Sequence, residues 1–171
     1  DILRSLDQNE AIATKIAEVE TLRSFYYYLL MDNYGDVPYL VTADVASDFA
    51  PEKVAREVIY DSLILTVERN LPLLKDKDNK LMATRNMGLA LLSKLYINAE
   101  VYSGTPQWAK AGEYCTELIE QGPYSLATDI AAPFKTNNEK SSEIIFSIPF
   151  DEDNTPGFRL HMRTLHYQHN L

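Results

Sequence analysis

Apolar residues recur at helical spacing along most of the chain. From about Gln8 to Tyr34 the series is Ile12, Ile16, Val19, Leu22, Phe25 and Leu29, which predicts a long helix. It runs into Gly35-Asp36-Val37-Pro38, a stop in which glycine takes the left-handed conformation that closes a helix and proline cannot continue one. After the loop 35–51, Pro51 suits a first helical turn and Glu52 suits the positive end of a helix. The second helix then runs to about Asn70 on Val54, Val58, Ile59, Leu63 and Val67, and Pro72 ends it. The charged stretch 75–80 reads as a solvated connector. A third helix, Thr84 to Tyr102, carries Leu89, Leu92, Leu95, Tyr96 and Ala99. Thr105 and Pro106 read as the cap and first position of a fourth, which runs from Gln107 to about Gln121 and stops at Gly122-Pro123.

Beyond Tyr124 the pattern changes. Residues 143–150, EIIFSIPF, are β-branched and aromatic and predict a strand or extended segment; the last twenty or so positions are polar and loop-like. A repeat lies inside the helical part. Leu95, Ala99, Tyr102, Ala111, Cys115, Leu118 and Pro123 have the spacing of one tetratricopeptide unit of about 34 residues. Small residues at 99 and 111 let two antiparallel helices approach, and Tyr102 wedges between units. The preceding helix pair, whose first helix ends at Tyr34, resembles a second unit split by a long loop. The expected fold is therefore all-α, a tetratricopeptide-like stack with a minor extended segment near residues 143–150. Its 171 residues suit one domain, with a helical scaffold over 1–124 and an extended or loop region over 125–171.

Charge and composition narrow the partners. The net charge of −9 disfavours attraction to a phosphate backbone, so nucleic acid is not expected. The lone Cys115 cannot form an internal disulfide, and no apolar run reaches the roughly 20 residues that span a bilayer. No signal peptide is read in these residues, and the chain is expected to be a piece of a longer protein whose targeting signal lies outside it.

Candidate chemistry is sparse. Tyr26, Tyr27 and Tyr28 cannot all face one way, since successive helical residues lie about 100° apart. One ring is expected in the core and another toward solvent, with core packing favoured over stacking on a sugar. Trp108 is expected to staple a helix start. Asp32 and Asp36 sit beside one helix end, whereas glycoside hydrolysis draws two carboxyls from facing elements, so Asp36 reads as a turn residue. Asp151 and Asp153 are the best candidates for a structural Ca²⁺, although the cluster lacks the spaced ligands of an EF-hand and a solvated acidic loop is favoured. Arg159, His161, Arg163, His166 and Tyr167 form a donor-rich segment matched to sugar hydroxyls, with Tyr167 offering a stacking face. The intervals between His161, His166 and His169 fit no zinc signature. No nucleophile elbow, HExxH pair, CxxC motif or phosphate-binding glycine loop is present.

The order of the elements resembles the SusD/RagB family, the surface glycan-binding lipoproteins of Bacteroidetes nutrient-uptake systems. The matching pieces are LRSFYYYLLMDNYGDVPYL, VAREVIYDSLILTVERNLP, MGLALLSKLYINAEVY, WAKAGEYCTELIEQGPYSL and PFKTNNEKSSEIIFSIPF, spread over about residues 20 to 150. The resemblance implies a noncatalytic protein without cofactor. It implies capture of an oligosaccharide on the outer face of the outer membrane, beside a SusC-like TonB-dependent transporter. Membrane attachment would come through a lipid anchor not present in this chain. It also implies that the helices are mainly scaffold and that loops supply most glycan contacts. The alternative is a tetratricopeptide-type scaffold that binds another protein and no sugar.

Overall fold

The computed structural model describes residues 9–46, 48–76, 79–135 and 138–149. The first described helix, α1 (Glu10–Tyr34), starts at Asn9, whose side chain accepts from the Ile12 amide at 3.0 Å. It closes at Gly35, where φ of 72° lies in the left-handed region and the amide returns to the Met31 carbonyl. A two-residue antiparallel pair follows, β1 (Val37–Pro38) with β2 (Lys53–Val54), in the register Val37 opposite Val54. Helix α2 (Arg56–Asn70) begins later than the sequence predicts, because Lys53 and Val54 are held in that ladder. Pro51 and Glu52 precede it. Ala55 has no side-chain acceptor, and the Asp36 carboxylate takes the Arg56 amide at 2.9 Å in its place.

Helix α3 (Arg85–Ile97) is capped by Thr84, whose hydroxyl accepts from the Met87 amide. A break at Asn98 separates it from the short α4 (Ala99–Ser103), so the predicted third helix is two. Gly104, with φ of 75°, ends α4, and α5 (Trp108–Gln121) starts from Gln107 rather than from Thr105-Pro106. Trp108 is exposed and does not staple the helix start. Short 3₁₀ turns occupy Leu71–Leu73, Ala132–Phe134 and Asn138–Lys140. Residues 144–149 form neither helix nor strand, which is the extended alternative of the sequence reading.

Two antiparallel helix pairs stack on one core. The end of α2 lies beside the start of α1, through Arg69 to Glu20 at 2.6 Å and Asn70 to the Ala17 carbonyl. The start of α3 likewise meets the end of α5 through an Arg85–Glu117 ion pair. Met31, Ile59, Leu63, Val67, Leu92, Leu95, Ala99 and Ala111 share one buried cluster. Tyr102 joins the layers as the sequence predicts. Its ring lies 5.7 Å from that of Tyr60, and its hydroxyl donates to Asp32 at 2.6 Å.

The buried face of α1 differs from the sequence expectation. Thr14, Ala17, Thr21, Ser24 and Met31 are buried, whereas Val19 and Leu29 are exposed. These positions form a narrow stripe in which small side chains let α1 lie close to α2, and the bulkier residues of α2 fill the seam. Ser24 turns its hydroxyl to the Glu20 carbonyl, as a buried hydroxyl must find a partner. Val58, predicted inside, is exposed, while Ile59 is fully buried.

Candidate functional site

None of Asp151, Asp153, Arg159, His161, Arg163, His166 and Tyr167 lies among the described residues. Of the carboxylates weighed for catalysis, Asp32 accepts from Tyr102 and Asp36 caps α2, so both serve the scaffold. Among the described residues, no group of three or more His, Cys, Asp or Glu is placed to hold a metal ion. No described helix is long and apolar enough to cross a membrane.

The tyrosine run divides as its geometry requires. Tyr26 is exposed. The Tyr27 hydroxyl both donates to the Leu40 carbonyl and accepts from the Leu40 amide, and its ring meets Tyr39 edge-on at 4.6 Å. Tyr27 thus pins the loop that leaves α1.

A second tyrosine cluster braces the helix pairs against each other. Glu68 on α2 accepts from the hydroxyls of Tyr96 at 2.6 Å and Tyr114 at 2.8 Å. Those two rings stack at 5.6 Å, and the Lys110 ammonium sits 4.9 Å from the centre of the Tyr96 ring. Burial first, then the hydrogen bond to Glu68, raises the phenol pKa of Tyr96 and of Tyr114. Burial also pushes Tyr60 up to about 12, with Asp61 and Glu68 adding to it. The sign follows from linkage. An unfolded phenol ionises near about 10, so the neutral native phenols hold their full contribution below that pH. Stability is expected to fall as pH climbs from about 10 through the native values. Tyrosinate absorbance and helical circular dichroism should therefore change together in one alkaline transition. Ionisation of all tyrosines well before helix loss would contradict these buried phenols.

A further polar feature lies at the strap 138–149. Residues 138–149 form a strap laced to two other loops. The Lys80 ammonium donates to the Glu139 and Ser141 carbonyls, and the Ser147 amide donates to the Lys80 carbonyl at 2.8 Å. The Ser125 amide bonds the Ser142 carbonyl, and the Ala127 amide bonds Glu143. Between strap and loop lies a cleft of about 810 Å³. Asn79, Lys80, Leu81, Asn138, Ser147 and Ile148 are among its walls. Leu81 and Ile148 remain 57% and 44% exposed there. An apolar groove of about 370 Å³ borders the other side of the strap, where Phe146 meets Phe25 edge-on at 5.4 Å. The sequence reading passed over 75–80 as a connector. Nothing in a loop's composition announces that Lys80 will anchor carbonyls some sixty positions away.

One helix face is left apolar. Trp108, Gly112, Cys115 and Ile119 follow each other at helical spacing on α5, and Trp108 and Ile119 are 61% and 77% exposed. A side chain at Gly112 would meet no heavy atom within 4 Å.

No family model matches the chain. Among curated proteins it is 27% identical to the SusD-like protein P25 of Formosa agariphila over 158 residues, 89% of this chain and 29% of that protein. It is also 27% identical to the starch-binding protein SusD of Bacteroides thetaiotaomicron, over 85% of this chain and 28% of that protein. The fold agrees. A SusD superfamily protein from Parabacteroides distasonis superposes with a TM-score of 0.77 at 21% identity, covering 90% of this chain and 34% of that one.

The chain is similar to SusD-like proteins.

The resemblance read from five ordered sequence pieces is thus present in both the sequence and the fold comparison. Another solved structure of similar fold, a crystal structure with xylogluco-oligosaccharide, has a TM-score of 0.77 at 18% identity; the match covers 88% of this chain and 32% of that one. The chain spans about 29% and 28% of the length of the two curated SusD-like relatives.

Proposed function

We propose that this SusD-like chain contributes to noncatalytic capture of a neutral oligosaccharide at the cell surface. The observation that carries the reading is the likeness to a protein named for starch binding, which runs over 85% of this chain. A similarly folded protein crystallised with xylogluco-oligosaccharide supports the same ligand class. The physical division of labour is consistent with it. Asp32, Asp36 and Glu68 spend their carboxylates on Tyr102, the α2 amide, and Tyr96 with Tyr114. Carboxylates so committed hold helices in place rather than move protons to a glycosidic oxygen. Capture would work by stacking and hydrogen bonding, with no bond made or broken. The setting proposed for it is the outer face of the outer membrane, beside a SusC-like TonB-dependent transporter. Arg159, His161, Arg163, His166 and Tyr167 remain the proposed sugar donors, and Asp151 and Asp153 the proposed calcium ligands.

The test is calorimetry of this chain against malto- and xylogluco-oligosaccharides, with a complete SusD-like relative as the positive control. Saturable heat with at least one neutral glycan is expected. Heat from the relative alone would remove direct capture by this chain. The apolar stripe of α5 favours a second reading, a surface that receives a helix of another protein segment. In that case Ile119→Glu would abolish protein association and leave sugar affinity unchanged.

A further inference from the structure

We infer that the cleft between residues 79–81 and the strap 138–149 is a seat for an uncharged, hydroxyl-rich ligand, a short stretch of neutral saccharide. This rests on the capture reading and locates it. The cleft, at about 810 Å³, falls within the roughly 300–1,000 Å³ of small-molecule sites. Its chemistry separates a sugar from other ligands.

An anion would compete for cationic donors, and two of the three Lys80 ammonium donors are taken by the carbonyls of Glu139 and Ser141. Lys140 also faces the cleft, and the adjacent Glu139 offsets its charge. A purely apolar ligand would leave the amides and hydroxyl of the walls facing nothing, which costs free energy. What remains is a ligand that combines C–H faces with hydroxyls. Leu81 and Ile148 supply exposed apolar surface for the first, and Asn79, Asn138 and Ser147 supply neutral donors and acceptors for the second. The Asn79 side-chain oxygen accepts from the Leu81 amide at 3.1 Å, which leaves its NH₂ group as the donor it brings to the cleft. Asn138 is reversed. Its NH₂ is tied to the Pro133 carbonyl, leaving its oxygen as an acceptor. A donor and an acceptor lining one cleft match the two roles of a sugar hydroxyl.

The strap also gives the cleft a fixed shape. Its bonds at Lys80, Ser125 and Ala127 tie 141–147 to two separate loops, so little ordering is required when a ligand enters.

The experiment follows the methyl NMR signals of Leu81, Ile144 and Ile148 while malto- and xylogluco-oligosaccharides are titrated into the chain. Saturable shifts of these methyls are expected. Leu81→Asp is expected to weaken binding by about tenfold or more, because it places a charge on the apolar wall; its exposed position keeps the fold intact, as helical circular dichroism would verify. Binding that shifts only other methyls, or that survives Leu81→Asp, overturns the cleft assignment and leaves capture standing. No binding of any glycan by the wild-type chain overturns both.

Discussion

Leu92→Ala should lower stability by about 2–5 kcal/mol, the range for removing a large aliphatic side chain from a packed core. Leu92 is fully buried in the cluster that also holds Ile59, Leu63, Leu95 and Ala99. It stands where the two helix pairs meet, so no single loop movement can refill the space. A domain of this size loses about 2–4 °C of melting temperature per kcal/mol, and thermal circular dichroism would read the change directly. The matching change at exposed Leu65, on the solvent face of α2 opposite buried Leu63 and Val67, should stay within about 0.5 kcal/mol. Equal effects at both sites would mean that the helices do not share this seam.

Glu68→Ala should cost about 2–4 kcal/mol although it removes little apolar surface. Two phenols, Tyr96 and Tyr114, would lose their common acceptor, and Tyr96 is almost fully buried, so water cannot replace it. Glu68→Gln keeps an acceptor oxygen and should lose much less. Tyr114→Phe removes one donor only and should cost about 1 kcal/mol. Denaturant melts of the three variants, ranked Ala, then Phe or Gln, then wild type, check the assignment. A Glu68→Ala protein as stable as wild type would show that the carboxylate is merely a surface group.

Why these features differ in how readable they were follows from where their information lies. Helix existence was written in local periodicity and punctuation, and Gly35 acts as the sequence leads one to expect. The start of α2 was not readable, because Lys53 and Val54 are captured by a partner strand about sixteen positions upstream. The inner face of α1 was misread for a similar reason. Close approach to α2 rewards Ala17, Thr21 and Ser24 over Val19, and only the facing helix reveals that. Ala99 and Ala111 were legible as close-packing positions since tetratricopeptide spacing encodes them, and both are buried. The cleft was illegible. It depends on Lys80 meeting 139–141 and on amide orientations set by Leu81 and Pro133, none of which has a sequence motif. Trp108 shows the limit of residue-type reasoning, since a large aromatic at a helix start stands in solvent.

On the proposed function, a braced helical stack presents a glycan seat and performs no chemistry on what it holds. The most direct test saturates the chain with a defined malto- or xylogluco-oligosaccharide in a calorimeter, then recovers the ligand and sizes it by mass spectrometry. Saturable binding with the ligand returned at its original length is the predicted result. Shortened chains, or no heat with any neutral glycan, would contradict it.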